Sequence, residues 1–442
     1  MAKIVVIGAG IAGLPAVYEL RHLLSRSHQV TLISPSPKFT FIPSLPWVTL
    51  GLTTLSNVQI DIKKALEKHR QRLLNNRSID LIIGEVTQLD PINQEITVGN
   101  SIIPYDFAII ATGAELALDV IPGLGPEGGN THSVCNPHHA EIARQAWLKF
   151  IENRGNLVVG AMPGAGCFGP IYEFAMLADF VLRKYNLRQQ IPITLITPEP
   201  YAGHLGVGGM ANSAELVKNL LANREIKLIE NTAITHIFAD KITCANGDNI
   251  PFNYSMILPA FRGPHFARKF PGLGDEKGFI PVLPTCQHPK FDSIYAAGVA
   301  VQIIPPEKTP IPLGVPKTGQ MSEAMAIAAV HNIALQLGEI SGIPVKPTLE
   351  AICLADFGDT GIAFIASPVL PDPLTGKRRK AVALQGRWVS WIKLAFERFF
   401  LTKMRWGLAV PWFEKLGLQV LGLSLVEPFT AKGDRGEVSP KN

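Results

Sequence analysis

The 442-residue chain is predicted to be α/β, with two parallel-sheet units and amphipathic helices towards its C-terminal end. Three observations predict this. Lys3-Ile-Val-Val-Ile7 is a short apolar run, followed by Gly8-x-Gly10-x-x-Gly13 and a helical stretch from about 14 to 24. Leu157-Val-Val-Gly-Ala161 starts the same arrangement again, with Gly160, Gly164 and Gly166 in its turn. From Trp388 onward, large apolar residues recur at helical spacing among basic ones. Strand, glycine turn and helix within about 30 residues form a Rossmann-like dinucleotide-binding unit. The glycines let backbone approach a pyrophosphate, and the helix N-terminus attracts its charge.

Val30-Thr-Leu-Ile33 supplies the second strand of the first unit. The acid that commonly follows, to hold a ribose, is absent; Ser34 and Pro35 stand there. Tyr105 to Gly113 is an apolar strand that ends in Ala-Thr-Gly, with Thr112 and Gly113 at its exit. Ile294-Tyr-Ala-Ala-Gly298 is another strand that ends in glycine. The first unit is therefore expected at 1–115 and 290–370, and the second at 116–289. Residues 371–442 are expected to form the amphipathic region. Within it, 371–387 reads as a linker or exposed turn, rich in Pro, Gly and basic residues.

Trp388, Trp391, Ile392, Ala395, Phe396 and Phe399 share one helical face, with Lys393 and Glu397 near the opposite side. Arg387, Arg398, Lys403 and Arg405 flank it, and a second apolar stretch runs from Trp412 to Leu425. Basic helices rich in Trp and Phe follow the pattern of interfacial anchors. Composition agrees: 47% of residues are hydrophobic and 17% charged, against about 25% charged in ordinary soluble proteins. No uncharged apolar run reaches the roughly 18 residues that a spanning helix needs. A membrane-peripheral, monotopic protein is expected. The net charge of +5 suits an anionic surface or ligand and does not indicate nucleic acid. The first strand begins at about residue 3, so no secretory signal peptide is expected.

Five cysteines at long, irregular spacings make neither a disulfide framework nor a zinc pattern, so no metal is expected. Cys167 stands in the second glycine turn, where a nicotinamide-binding unit would not place a thiol. That position points to sulfur redox chemistry, and the adjoining helix N-terminus should lower the thiol pKa. Cys353 starts a short strand before a polar turn. Cys135 lies in a polar loop beside His138 and His139, a setting for an exposed, reactive thiol. Cys244 and Cys286 have no such company.

With these residues in view, the chain resembles the sulfide:quinone oxidoreductases, especially the bacterial membrane-peripheral type, from Ile4 to about Leu423. The resemblance rests on Pro163-Gly-Ala-Gly-Cys-Phe-Gly-Pro-Ile-Tyr-Glu-Phe174, Gly203-His-Leu-Gly206, Leu258-Pro-Ala-Phe-Arg-Gly263 and the stretches 304–319, 352–361 and 394–401. It implies FAD along the first unit, held at Gly8, Gly10, Gly13, Ser34, Thr112, Gly113 and Gly298. Lys317, Thr318 and Gly319 would lie near the flavin's pyrimidine edge. It implies Cys167 and Cys353 as the redox pair, with Cys135 assisting in sulfur handling. His139 and His204 match histidines near the sulfide pocket, and Glu173 matches an acid that moves protons. Phe357 and Phe396 would line a quinone slot.

Hydrosulfide would then attack a Cys167–Cys353 disulfide and leave a persulfide. The electrons would pass through the flavin to a membrane quinone. Hydrogen sulfide, quinone and a cytoplasmic or thylakoid membrane surface are the implied partners, and dimers or trimers are permitted. Three features depart from the family pattern: Asn136-Pro137-His138 follow Cys135 where threonine is expected, Leu45 stands where asparagine is expected, and the residues after Gly51 lack an expected aromatic-basic pair. Competing readings are a type II NADH:quinone oxidoreductase, the flavin subunit of a flavocytochrome sulfide dehydrogenase, and a flavoprotein that binds persulfide without turnover.

Overall fold

The first apolar run forms the middle of a parallel sheet. In the computed structural model, which describes residues 1–72, 78–372, 375–411, 414, 416 and 424–430, Lys3–Ile7 lies between Gln29–Ser34 and Phe107–Ile110. Asp80–Ile83 and Ile294–Ala296 complete five parallel strands. Parallel strands covered on both faces read as unbroken apolar runs, and Ile4 to Ile7 are all buried.

A second parallel sheet is inserted between Ile110 and Ile294. Its strands, in order across the sheet, are Ile226–Ile229, Ile193–Ile196, Leu157–Ala161 and Tyr254–Leu258. Helix Gly169–Lys184 follows the Cys167 turn, and most of its residues are buried. Helix Gly13–Leu23 packs on helix Gly319–Gln336, so a late segment returns to the N-terminal turn.

A three-stranded antiparallel sheet then delivers Cys353. Its strands are Ala351–Asp356, Gly361–Ser367 and Lys380–Gln385. The third strand corrects the expectation of a linker at 371–387. Its residues, Lys-Ala-Val-Ala-Leu-Gln, alternate only weakly, and the basic run before them masks the strand. The first strand packs against helix Gly169–Lys184 on one side and helix Arg387–Trp406 on the other. Tertiary packing, rather than sequence proximity, therefore brings Cys353 to Cys167.

Helix Arg387–Trp406 buries Val389, Phe400, Leu401 and Met404 but also exposes large apolar residues and buries charges, unlike an ordinary surface helix. Trp391 is 74% exposed, and Trp388, Ile392 and Phe396 are also exposed. Lys393, Glu397 and Lys403 point inward and are 5%, 9% and 1% exposed. Each buried charge has a partner: Glu173 holds Lys393, Ser44 donates to Glu397, and Glu323 and Glu414 hold Lys403. Among the described residues, no helix is long and apolar enough to cross a membrane. Most of the second apolar stretch, including Trp412 and Phe413, lies outside the described residues.

Candidate active site

The three glycines of the first turn have three different surroundings. Gly8 adopts φ +103°, and a Cβ there would collide with Ala111 O. A Cβ on Gly13 would collide with Gly8 O, so this glycine permits close helix–strand packing. Gly10 faces open space, which leaves a bare backbone path where a pyrophosphate can run. Gly298, at φ +76°, closes on Ala12 from the edge strand. Gly113 adopts φ +76° at the exit of Phe107–Ile110, after Thr112, and also faces open space. Ser34 turns its hydroxyl onto Ser36 O at 2.8 Å.

Thr318 caps helix Gly319–Gln336 by accepting from Met321 N at 3.4 Å. Gly319 approaches Ile11, so two helix N-termini converge on the same cleft. Their partial positive charge suits an anionic dinucleotide. Lys317 lies 4.7 Å over the Phe279 ring, and burial pulls its pKa down to about 8 against the pull of Asp275. These residues fit FAD.

Cys167 and Cys353, the pair that the resemblance implied, meet across Gly169. A Cβ on that residue would stand 2.8 Å from Cys353 Sγ and 3.9 Å from Cys167 Sγ. They line one apolar chamber with Leu205, Val207, Met210 and Phe364. None of the five cysteines is in a disulfide. Burial pushes the Cys167 thiol up to about 11, although the Gly169 N–H opposes it. This corrects the expected lowering: desolvation outweighs the helix terminus. Burial, then the neighbouring Cys167, raises the Cys353 thiol as well.

Cys135 joins the same electrostatic cluster, and burial lifts it to about 12. It is not the exposed thiol expected from its polar loop. Asn136 caps helix Pro137–Asn153 by accepting from His139 N at 2.8 Å, with Pro137 in the first turn. That cap folds the loop inward and accounts for the Asn-Pro departure. Ser133 Oγ, 2.9 Å from His139 Nδ1, also accepts from Cys135 N at 3.4 Å. His204 accepts from Gly206 N at Nδ1, so Nε2 carries the proton and donates to Glu307 at 2.5 Å.

Glu173 and Lys393 form a buried ion pair behind the cysteines. Burial raises the Glu173 carboxyl to about 7, against the stabilising charge of Lys393. The ammonium of Lys393 also lies 4.9 Å over the Trp47 ring. Sequence reading missed Lys393 as the partner, because helical spacing separates two faces without saying which is inward. Phe357 is fully buried, whereas Phe396 stands at the outer rim, 6.2 Å from the Phe41 ring and 5.9 Å from the Phe400 ring.

Residues 2–326 match the model of the pyridine nucleotide-disulphide oxidoreductases. The sulfide-quinone reductase of Aquifex aeolicus (strain VF5) is 37% identical over 432 residues, which is 95% of each chain. The chain belongs to the sulfide-quinone reductase family. The crystal structure of the Aquifex aeolicus sulfide:quinone oxidoreductase superposes with a TM-score of 0.90 at 35% identity, covering 97% of this chain and 98% of that one. A structure of NDH2 from Plasmodium falciparum in complex with NADH shares the fold, with a TM-score of 0.68 at 16% identity, covering 93% of this chain and 99% of that one.

As a member of the sulfide-quinone reductase family, the chain is an FAD-dependent oxidoreductase. At the second glycine turn, Gly164 N donates to Pro312 O at 2.7 Å, and Gly314 N donates to Ala165 O at 3.0 Å. Gly206 in turn packs on Gly314 O. The segment 312–314 thus lies against this turn and takes up the Gly164 N–H.

Proposed function

We propose that this chain oxidises hydrogen sulfide to polysulfide or sulfur at Cys167 and Cys353 and delivers two electrons to a quinone. The observation that carries this reading is the pair of cysteines facing each other across Gly169 in an apolar chamber, beside a cleft that fits FAD. In the oxidised pair, hydrosulfide breaks the disulfide bond, forms one S–S bond and leaves a persulfide on one cysteine and a thiolate on the other. Re-forming a sulfur bridge releases two electrons, for which bound FAD is the acceptor. His204 holds a proton at Nε2 beside the chamber wall, and Glu173 is poised to exchange one near neutrality.

Lys317 supplies a positive charge for a reduced, anionic ring system. Phe396, Phe41 and Phe400 offer flat apolar walls to a quinone at the rim, with the fully buried Phe357 as the further candidate wall. The exposed Trp388, Trp391, Ile392 and Phe396 would rest in a membrane surface, with Arg387, Arg398 and Arg405 towards lipid headgroups. The membrane is a cytoplasmic or thylakoid one.

The test is an anaerobic absorbance titration of the purified protein with sulfide, then NADH, then quinone. Bleaching of the flavin by micromolar sulfide and not by NADH, reversed by quinone, is the expected result. Bleaching by NADH alone would overturn the reading.

A further inference from the structure

The sulfur chamber has a wall that no residue of the redox pair supports. Leu205, Val207 and Met210 line it, and Leu205 adopts φ +57°, a left-handed backbone that a leucine rarely takes. Behind that residue sits Glu199, fully buried. Glu199 Oε1 accepts the Leu205 N–H at 2.6 Å, while Oε2 accepts from Thr197 Oγ1 at 2.7 Å and from the Tyr172 hydroxyl. Tyr172 O in turn accepts the Gly203 N–H at 2.9 Å. Both ends of the 203–205 turn therefore hang on one buried acid and its tyrosine.

We propose that Glu199 is a positioning residue for the sulfur chamber: its carboxylate holds Leu205 in the left-handed turn and sets a negative charge near Cys167. The inference rests on the sulfide-oxidising role assigned above to Cys167. Three donors converge on a carboxylate that has no cation directly against it among the described residues. The groups that face it are Tyr172 and Cys167 from the second glycine turn and its helix, Tyr201 from the wall, and Glu230 from beyond Ile226–Ile229. Glu230 is itself held by Lys218 at 2.7 Å. Burial, opposed by the three donors, places the Glu199 carboxyl at about 7, and its charge raises the Cys167 thiol. The acid would thus be ionised, and the thiol suppressed, at mildly alkaline pH.

The experiment uses the FAD-loaded enzyme, chemically reduced under argon, with iodoacetamide alkylation of Cys167 followed by peptide mapping across pH. Glu199→Gln removes the charge and keeps an acceptor for Leu205. The midpoint of alkylation should fall, giving about tenfold more thiolate at a fixed alkaline pH. Sulfide reduction of the flavin should change its pH profile, and reoxidation by quinone should not. A wall that is merely looser would scale alkylation equally at every pH without moving its midpoint, and that result overturns the proposal. Flavin content and melting temperature show whether the variant has folded. If it has not, Tyr172→Phe removes one donor from the carboxylate. The acid stays charged at the Cys167 midpoint and loses a donor that offsets its charge, so the midpoint should rise, and a midpoint that falls or stays put overturns the proposal. Alkylation needs no turnover. An enzyme whose flavin ignores sulfide would defeat the functional reading and leave this test standing.

Discussion

At the residue scale, the proposed chemistry rests on three thiols and one buried ion pair. Replacing either Cys167 or Cys353 with alanine should abolish reduction of the flavin by sulfide while FAD content stays unchanged; a Cys167→Ala enzyme that sulfide still bleaches fully would sink the scheme. Glu173 carries a second prediction. Its native pKa, about 7, lies above the ordinary 4.5, so the folded state holds a proton that the unfolded chain releases between those values. Its contribution to stability is therefore complete below about pH 4.5 and is lost as pH rises towards 7. Lys393→Met removes the only direct cationic partner that Glu173 has among the described contacts. Below pH 7 the acid is protonated and the loss should be small. Above it, the unpaired acid should hold its proton instead, which sets the added cost at pH 8.5 to at most about 2 kcal/mol. Urea denaturation at pH 6 and pH 8.5 checks this, and equal costs at both would refute it. The cysteine in the glycine turn was legible in the sequence because its type is wrong for a phosphate site. Lys393 and Glu199 were not, because burial of a charge is decided by what packs over it.

At the element scale, helix Arg387–Trp406 shows how far periodicity reaches. Its two faces were legible from spacing. The anchor pattern set the Trp face outward; what spacing did not give is the make-up of the inner face. That face mixes Val389, Phe400, Leu401 and Met404 with Lys393, Glu397 and Lys403, each charge paired, while Trp388, Trp391, Ile392 and Phe396 stay exposed. The strand Lys380–Gln385 was hidden for a different reason: alanine-rich alternation gives little strand signal beside four basic residues. If the exposed face docks on lipid, Trp391→Ser together with Trp388→Ser should leave the melting temperature within about a degree or two. The same change should sharply reduce sedimentation with anionic vesicles. Binding of the parent should also weaken with salt, because Arg387, Arg398 and Arg405 flank the face. Unchanged sedimentation of the double variant would remove the helix as the anchor.

At the scale of the whole molecule, the site exists only because distant segments close on one N-terminal turn. The strand–glycine–helix unit was legible at 3–24 because its pattern is local. The return of Ile294–Ala296 and Gly319–Gln336 to that turn became visible only through motifs that end in glycine, and the meeting of Cys167 with Cys353 only through resemblance. Two glycines of the same turn separate folding from cofactor binding. A Cβ on Gly13 would collide with Gly8 O, and Gly8 is itself fixed against Ala111. Gly13→Ala should therefore force helix Gly13–Leu23 away from the sheet and unfold or strongly destabilise the protein, whatever its flavin content. Gly10 has no positive φ, and no protein atom lies within 4 Å of its would-be Cβ. Gly10→Val should leave the apoprotein folded, with an unchanged circular dichroism spectrum, because the added carbons meet only the open cleft. Those carbons would occupy the path proposed for the pyrophosphate, so flavin should be lost on desalting. Retention of stoichiometric FAD by Gly10→Val would mean that the dinucleotide takes another route across the first sheet, and the cradle built from Gly8, Gly10, Gly13 and Gly298 would have to be redrawn.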